Sequence, residues 1–343
     1  MKQVLSKIAQ ARKSKSSLLS LNAEGLTSIP NEIFELEHLT NLNLRNNKIE
    51  EIPEGIRKLK NLKVLYLDNN LIKNLDTSFF NLTNLVVLDL SINKIEDLPD
   101  DLKAFKNLKR LYLSDNRLEK IPESIGGLQQ LEYLYGYKNL ISELPDQIGE
   151  LENLKHLNFF NNKLSHLDID LSKLSKLSYV ELGFNNISKL SRSIGELQSL
   201  EILSLFDNQI KELPEEISKL ANLEVLNISF NQLEEIYLDL NSMKSLNNLH
   251  LFKNNLKSLT GINLLEICSR NQHFNSNLLI DETQEELLKQ TINYSKYPKI
   301  GVVNLKNKEL PKDHYKQVPY ELSRRYGLVD PRWEEMRKRF NKN

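Results

Sequence analysis

Aromatic side chains recur at near-regular intervals through the second half of this 343-residue chain. Tyr112, Tyr133, Tyr135 and Tyr137 come first; Phe160, Phe184, Phe206, Phe230 and Phe252 follow, with His156, Tyr179 and His250 beside them. Rings in such a series can stack on one another or on a ligand, and the tyrosine tips remain free for hydrogen bonds. Contiguous exposed aromatics usually mark an interaction site, and tyrosine is favoured at binding hot spots. The chemistry implied is non-covalent recognition. Catalytic chemistry has no comparable signal. No phosphate loop of the form G-x-x-x-x-G-K-[ST] and no H-E-x-x-H zinc motif is present. The six histidines are scattered, and the single cysteine, Cys268, cannot build a thiolate metal site. No catalytic residue, metal ligand or cofactor is expected.

The elements that position the rings are set by leucine. Leu39, Leu62, Leu85, Leu108, Leu131, Leu154, Leu177, Leu200, Leu223 and Leu246 are evenly spaced, with no break in register. Each opens the phrase leucine-x-x-leucine-x-leucine-x-x-asparagine-x-leucine, as in Leu39, Leu42, Leu44, Asn47 and Ile49. Period-two alternation around Leu42 and Leu44 predicts a short strand with one buried face. No repeat buries its leucines alone, so neighbouring repeats must stack into one core. The asparagine recurs from Asn47 to Asn254, where a buried amide can satisfy turn groups that lack strand partners. With a degenerate first repeat at 16–26, eleven strands are expected.

On the return half, Pro30, Pro53, Pro99, Pro122, Pro145 and Pro214 precede apolar residues at three-residue spacing, which predicts a short 3₁₀ or helical turn. Asp76, Asp168, Ser191 and Tyr237 replace the proline, so local differences are expected there. Gly136 stands at a core leucine position beside Phe159 in the next repeat, which predicts volume compensation. Val4, Leu5, Ile8 and Ala11 form a helical stripe, read as a capping helix within 1–15. The array is assigned to 16–260.

Register fails after Leu259, and 261–343 is read as a C-terminal cap of mixed helix and strand. Within it, Asp281 begins a helix, Ile300 to Leu305 a short strand, Gln317 to Tyr326 a helix, and Asp330-Pro331 a last helix carrying Trp333, Met336 and Phe340.

Forty-six basic residues balance forty-six acidic ones, so no global charge points to nucleic acid or an anionic membrane. One cysteine excludes an intramolecular disulfide. No apolar run fits a signal peptide or a membrane span, and a cytoplasmic monomer is expected.

The repeat phrase resembles the 23-residue class of intracellular leucine-rich repeats. It is similar to stand-alone bacterial proteins of that class, to the repeat region of Roco proteins and to plant intracellular Ras-group-related proteins. The opening Ile8-x-x-Ala11-Arg12, then Leu19-x-Leu21 and Gly25-Leu26, is similar to the start of many bacterial members. The resemblance covers about residues 4–260. It implies an α/β open solenoid, or horseshoe, with a parallel concave sheet and helical caps. It also implies binding of a protein or peptide and carries over no catalytic residue. Bacterial leucine-rich repeat ubiquitin ligases need a large catalytic domain with a cysteine nucleophile. Cys268, followed by Ser269 and Arg270 near the end of the chain, does not supply one. Positions two, three, five, seven and eight of each strand phrase lie off the core and line the concave face. The twelve aromatic and histidine residues named above are therefore the expected partner contacts, with Tyr135, Tyr137, Phe160 and Phe206 as one hot-spot group dispensable to the core. Polar Asn43 and Arg45 are expected to matter less. Glycan binding, by stacking on sugars, and an effector acting on host proteins are the alternative readings.

Overall fold

The computed structural model describes residues 1–259, 261–262, 278–291 and 300–303. Among them thirteen short strands form one parallel sheet in sequence order. They are β1 (Leu18–Ser20), β2 (Asn41–Asn43), β3 (Val64–Tyr66), β4 (Val87–Asp89), β5 (Arg110–Tyr112), β6 (Tyr133–Tyr135), β7 (His156–Asn158), β8 (Tyr179–Glu181), β9 (Ile202–Ser204), β10 (Val225–Asn227), β11 (Asn248–His250), β12 (Leu278–Asp281) and β13 (Ile300–Val303). From β1 to β11 each residue pairs with its equivalent in the next repeat, as Leu42 does with Leu65. The fold is an open repeat solenoid. The fourth and sixth phrase positions point inward, and Leu42, Leu44, Leu65 and Leu67 have no solvent exposure.

The turn after each strand is set by the asparagine. Asn139 Nδ2 donates to the carbonyls of Leu113 in the preceding repeat and of Gly136 and Tyr137 in its own, and its Oδ1 accepts the Leu118 N–H. Equivalent bonds recur from Asn47 to Asn254. The residue before the asparagine takes a positive φ in every repeat, from Asn46 at 56° to Lys253 at 58°. Asparagine and aspartate tolerate this left-handed region, whereas Ile92, at 55°, is β-branched and strained there.

Return segments at Pro30, Pro53, Pro99, Pro122, Pro145 and Pro214 each lead into a five-residue 3₁₀ turn. Asp76 and Ser191 keep the turn by capping it, accepting the N–H groups of Ser78 and Ser193. The repeats with Asp168 and Tyr237 lose it. There Asp170 and Asp239 instead accept the N–H two residues on, and Leu167 and Leu238 bridge the neighbouring repeat at Leu190 and Ile262. A side chain at Gly136 would strike the Phe159 ring at 2.6 Å, so the two residues share one core volume.

At the N-terminus, α1 (Lys2–Ser14) buries Val4, Ile8 and Ala11 against the first repeat. At the other end the sheet runs past the last full phrase. Leu249 pairs with Leu278, and Leu278 with Ile300. The first of these steps is longer than a repeat and the second slightly shorter. They break the period, which is why counting by register stopped at eleven strands. Between them α2 (Glu282–Thr291) begins directly after Asp281. Its Gln284 Nε2 donates to the Leu251 carbonyl at 2.8 Å, the bond an asparagine of a further repeat would make. The helices read at 317–326 and after Asp330, and Cys268, lie outside the described residues.

Asn139→Ala removes these donors and leaves the Leu118 N–H without its acceptor. A loss of about 1–3 kcal/mol is expected. Chemical unfolding of the variant checks this, and an unchanged midpoint and slope would contradict it.

Candidate recognition surface

Parallel pairing in register places equivalent positions in columns across the concave face. The third-position column runs Arg110, Tyr133, His156, Tyr179, Ile202; the fifth runs Tyr112, Tyr135, Asn158, Glu181, Ser204. Strands spaced about 4.8 Å apart bring these rings into contact. Tyr133 and His156 have centroids 4.8 Å apart, His156 stacks on Tyr179 at 5.4 Å, and Tyr112 lies 5.4 Å from Tyr135. Tyr135 Oη and His156 Nδ1 are 3.3 Å apart. The four tyrosines of this group are half-buried. They form a platform over four adjacent strands, β5 to β8. Arg110 covers one edge, its guanidinium 5.1 Å from the Tyr133 centroid.

A second series runs through the seventh and eighth positions. Phe160, Phe184, Phe206, Phe230 and Phe252 form a continuous ladder, with successive centroids 5.1, 5.2, 5.1 and 5.5 Å apart. Phe184 and Phe230 occupy the positive-φ position, and their rings fit between seventh-position rings of neighbouring repeats. Phe206 is 6% exposed and Phe252 0%, so neither offers a face to a partner. This corrects the expectation that seventh-position phenylalanines are dispensable to the core. Stacking across the ladder buries them, although the leucine pattern does not require them. Phe160, Phe184 and Phe230 keep partial exposure, as does Tyr137, the seventh-position residue one repeat before Phe160. His250 is buried three strands beyond Tyr179. The twelve residues therefore divide into a tyrosine–histidine platform, a phenylalanine ladder, Tyr137 one repeat before that ladder, and an outlying buried histidine.

The polar N-terminal half is a network. Arg45 reaches Asp68 at 2.5 Å and Asp89 at 3.2 Å, and its guanidinium lies 4.0 Å over the Tyr66 ring. Asp89 is 0% exposed, so replacing Arg45 would leave a buried carboxylate without this cation. The expectation that Arg45 matters little thus needs qualification: it is a stability residue.

One residue of the platform escaped sequence reading. Glu181 is 5% exposed at the fifth position, between Asn158 and Ser204. Its Oε1 accepts the Gly183 N–H at 2.9 Å, and the Ser204 hydroxyl also donates to the carboxylate. Burial raises its pKa to about 7 against the pull of those two bonds. Burial, with help from the Lys155 charge, lowers His156 to about 4. The usable signal was a carboxylate in an aromatic column followed two residues on by glycine. It shows when equivalent positions are compared across repeats. Among the described residues no cluster of histidine, cysteine, aspartate and glutamate could hold a metal ion, and no helix is long and apolar enough to cross a membrane.

Sequence comparison agrees with the geometry. The profile of the leucine-rich repeat region matches residues 77–177 and 161–325, and a leucine-rich repeat profile matches 17–72. The chain belongs to the leucine-rich repeat family. No curated protein matches it. Among solved structures it is similar to a leucine-rich repeat protein of Leptospira interrogans (28% identity, 79% of each chain, TM-score 0.58). It is also similar to a TDR receptor (29% identity, 77% of this chain and 48% of the other, TM-score 0.68). The functional domain of InlJ from Listeria monocytogenes shares the fold at 22% identity, over 89% of this chain and 69% of the other, with a TM-score of 0.69. The InlJ domain includes a cysteine ladder; this leucine-rich repeat chain has a single cysteine.

The two shifted groups make stability depend on pH in opposite senses. Between about pH 4 and 6.5 the unfolded chain binds the His156 proton more readily, so this residue makes stability rise with pH. Between about pH 4.5 and 7 the folded chain holds the Glu181 proton more tightly, so this residue makes stability fall as pH rises. Relative to the parent, Glu181→Gln should therefore show stability climbing more steeply with pH, and His156→Phe should show it declining. Each difference is expected to be on the order of 1–3 kcal/mol across its window. Unfolding measured from pH 4 to 7.5 tests both, and three parallel curves would contradict the assignments.

Proposed function

We propose that the chain is a non-catalytic recognition module that holds a protein or peptide segment on its concave face. The observation that carries this reading is the platform of half-exposed tyrosines on β5 to β8, all at positions the leucine core does not use. Its flank is the partly exposed edge of the phenylalanine ladder at Tyr137, Phe160, Phe184 and Phe230. Tyrosine supplies large contact area at a low cost in side-chain entropy, together with a hydroxyl for orientation. A solvated surface without a ligand gains little from concentrating such rings. Likeness to a solved receptor of the same fold supports the same reading. The phenylalanine ladder serves as a stiff wall beside the platform, with Phe206 and Phe252 as its buried supports.

Affinity capture with the immobilised chain, followed by mass spectrometry, should return one stoichiometric protein. Tyr137→Ala combined with Phe160→Ala should leave the circular dichroism spectrum intact and weaken that complex at least tenfold, about 1.4 kcal/mol. Intact binding by the folded double variant would remove the concave face from the reading. Affinity for purified oligosaccharides instead, lost on changing the same rings, would move it to glycans.

A further inference from the structure

The N-terminal half contains a complete cation cradle. One guanidinium, from Arg45, rests on the Tyr66 ring and bridges the carboxylates of Asp68 and Asp89. Aromatic face and acid together are a favourable setting for a cation, because the ring quadrupole and the carboxylate attract the same charge. Four strands further along, the corresponding ingredients recur without the arginine. Glu181 lies at the fifth position of β8, aligned with Asp89 of β4. Tyr179 precedes it by two residues on the same face, Tyr135 lies two strands away in its own column, and His156 completes the stack on Tyr179. The side chains directly around the acid are small: Asn158 and Ser204 on the flanking strands and Gly183 two residues on. A Cβ at Gly183 would stand 3.0 Å from Glu181 Oε1, 3.1 Å from the Phe206 carbonyl oxygen and 3.3 Å from the Phe160 ring, so a side chain there would crowd the acid.

The charge itself is not required by the backbone. Asn43, Asp89, Asn158 and Asn227 occupy the same phrase position, and each accepts the N–H two residues on. Asn158 and Asn227 do so without charge, and a glutamine at 181 would retain that bond. Glu181 adds a buried carboxyl, which burial keeps protonated below about pH 7 and which, among the described residues, makes no ion pair; Lys155, just before β7, is bound to Glu132 at 2.8 Å. Ionising this carboxyl in place is costly unless a cation compensates the charge. A titratable group so placed within an aromatic surface is characteristic of functional sites.

We propose that the partner segment carries a lysine or arginine side chain, and that this cation seats against Glu181 and the ring faces of Tyr135 and Tyr179. The inference rests on the recognition reading above and specifies the chemistry it selects. The segment supplies what Arg45 supplies in the N-terminal half. His156, held neutral by burial, adds no competing charge.

The test uses random dodecapeptides displayed on phage and selected against the immobilised full-length chain. Enriched peptides are then synthesised and titrated by fluorescence anisotropy. They should share one lysine or arginine. Replacing that residue by glutamine should weaken binding at least tenfold, and Glu181→Gln should do the same. Combining both changes should add little further loss, because they remove the two ends of one contact. The peptide-side replacement keeps the test valid even if the Glu181 variant is poorly folded. Peptides that lose affinity for the Tyr137→Ala, Phe160→Ala protein but are indifferent to Glu181→Gln and to loss of their own basic residue would overturn the cation inference alone. Peptides that bind that double variant unchanged, or an empty selection, would count against the recognition reading and this inference together.

Discussion

The asparagine amide after each strand is the interaction on which the rest of the molecule depends. It must donate to carbonyls in two repeats and accept an N–H from a third segment at the same time. A carboxylate lacks the donor and a hydroxyl lacks the reach, so the residue type is dictated by geometry. These bonds bend the chain inward at a fixed point, and the bend forces the residue just before the asparagine into the left-handed region. The strand, the turn and the spacing of the return segment follow from that point. Where the array ends, Gln284 places an amide on the carbonyl that a further asparagine would have taken. The need for the bond persists after the repeat phrase has gone.

That turn also decides what the seventh and eighth positions can do. Because the eighth residue has a positive φ, its side chain projects differently from those on the strand. Phe184 and Phe230 therefore fill the spaces between Phe160, Phe206 and Phe252, and a binary core-or-surface reading of the phrase fails for them. The same rings act as a secondary core toward the end of the array and as an edge of the surface nearer its centre. The tyrosines of the third and fifth positions have no such freedom. They stand on the flat part of the sheet and stack only through neighbours in the same column or the adjacent one.

The repeat architecture was legible in the sequence because one physical demand recurs at a constant interval. Leu42, Asn47 and Pro53 each report their role through spacing alone. What stayed hidden departs from the period or depends on neighbouring repeats. Strands β12 and β13 follow unequal steps, so the hydrophobic pattern does not announce them. The burial of Phe252 depends on what lies against it. Arg45 looked like a solvated charge because its partners, Asp68 and Asp89, are one and two repeats away. Glu181 draws no notice within its own phrase, because its aromatic column becomes visible only when repeats are aligned. In a solenoid the informative neighbour is a whole repeat distant, and a reading confined to one phrase misses pairings across the sheet.

The fifth phrase position shows how such a scaffold separates stability from recognition. The backbone there asks for an oxygen that can accept the N–H two residues on, and asparagine, aspartate and glutamate all provide one. The structural demand is met by any of them, so charge at this position can vary with little change to the turn. The aspartate at 89 is paired from within by Arg45, which closes that part of the face and stabilises it. The glutamate at 181 meets the same backbone demand, but no cation pairs with it among the described residues and burial raises its pKa instead. The difference is one of electrostatics on a common geometry. One repeated backbone requirement can thus hold the sheet in register and still allow individual strands to present different chemistry to a partner.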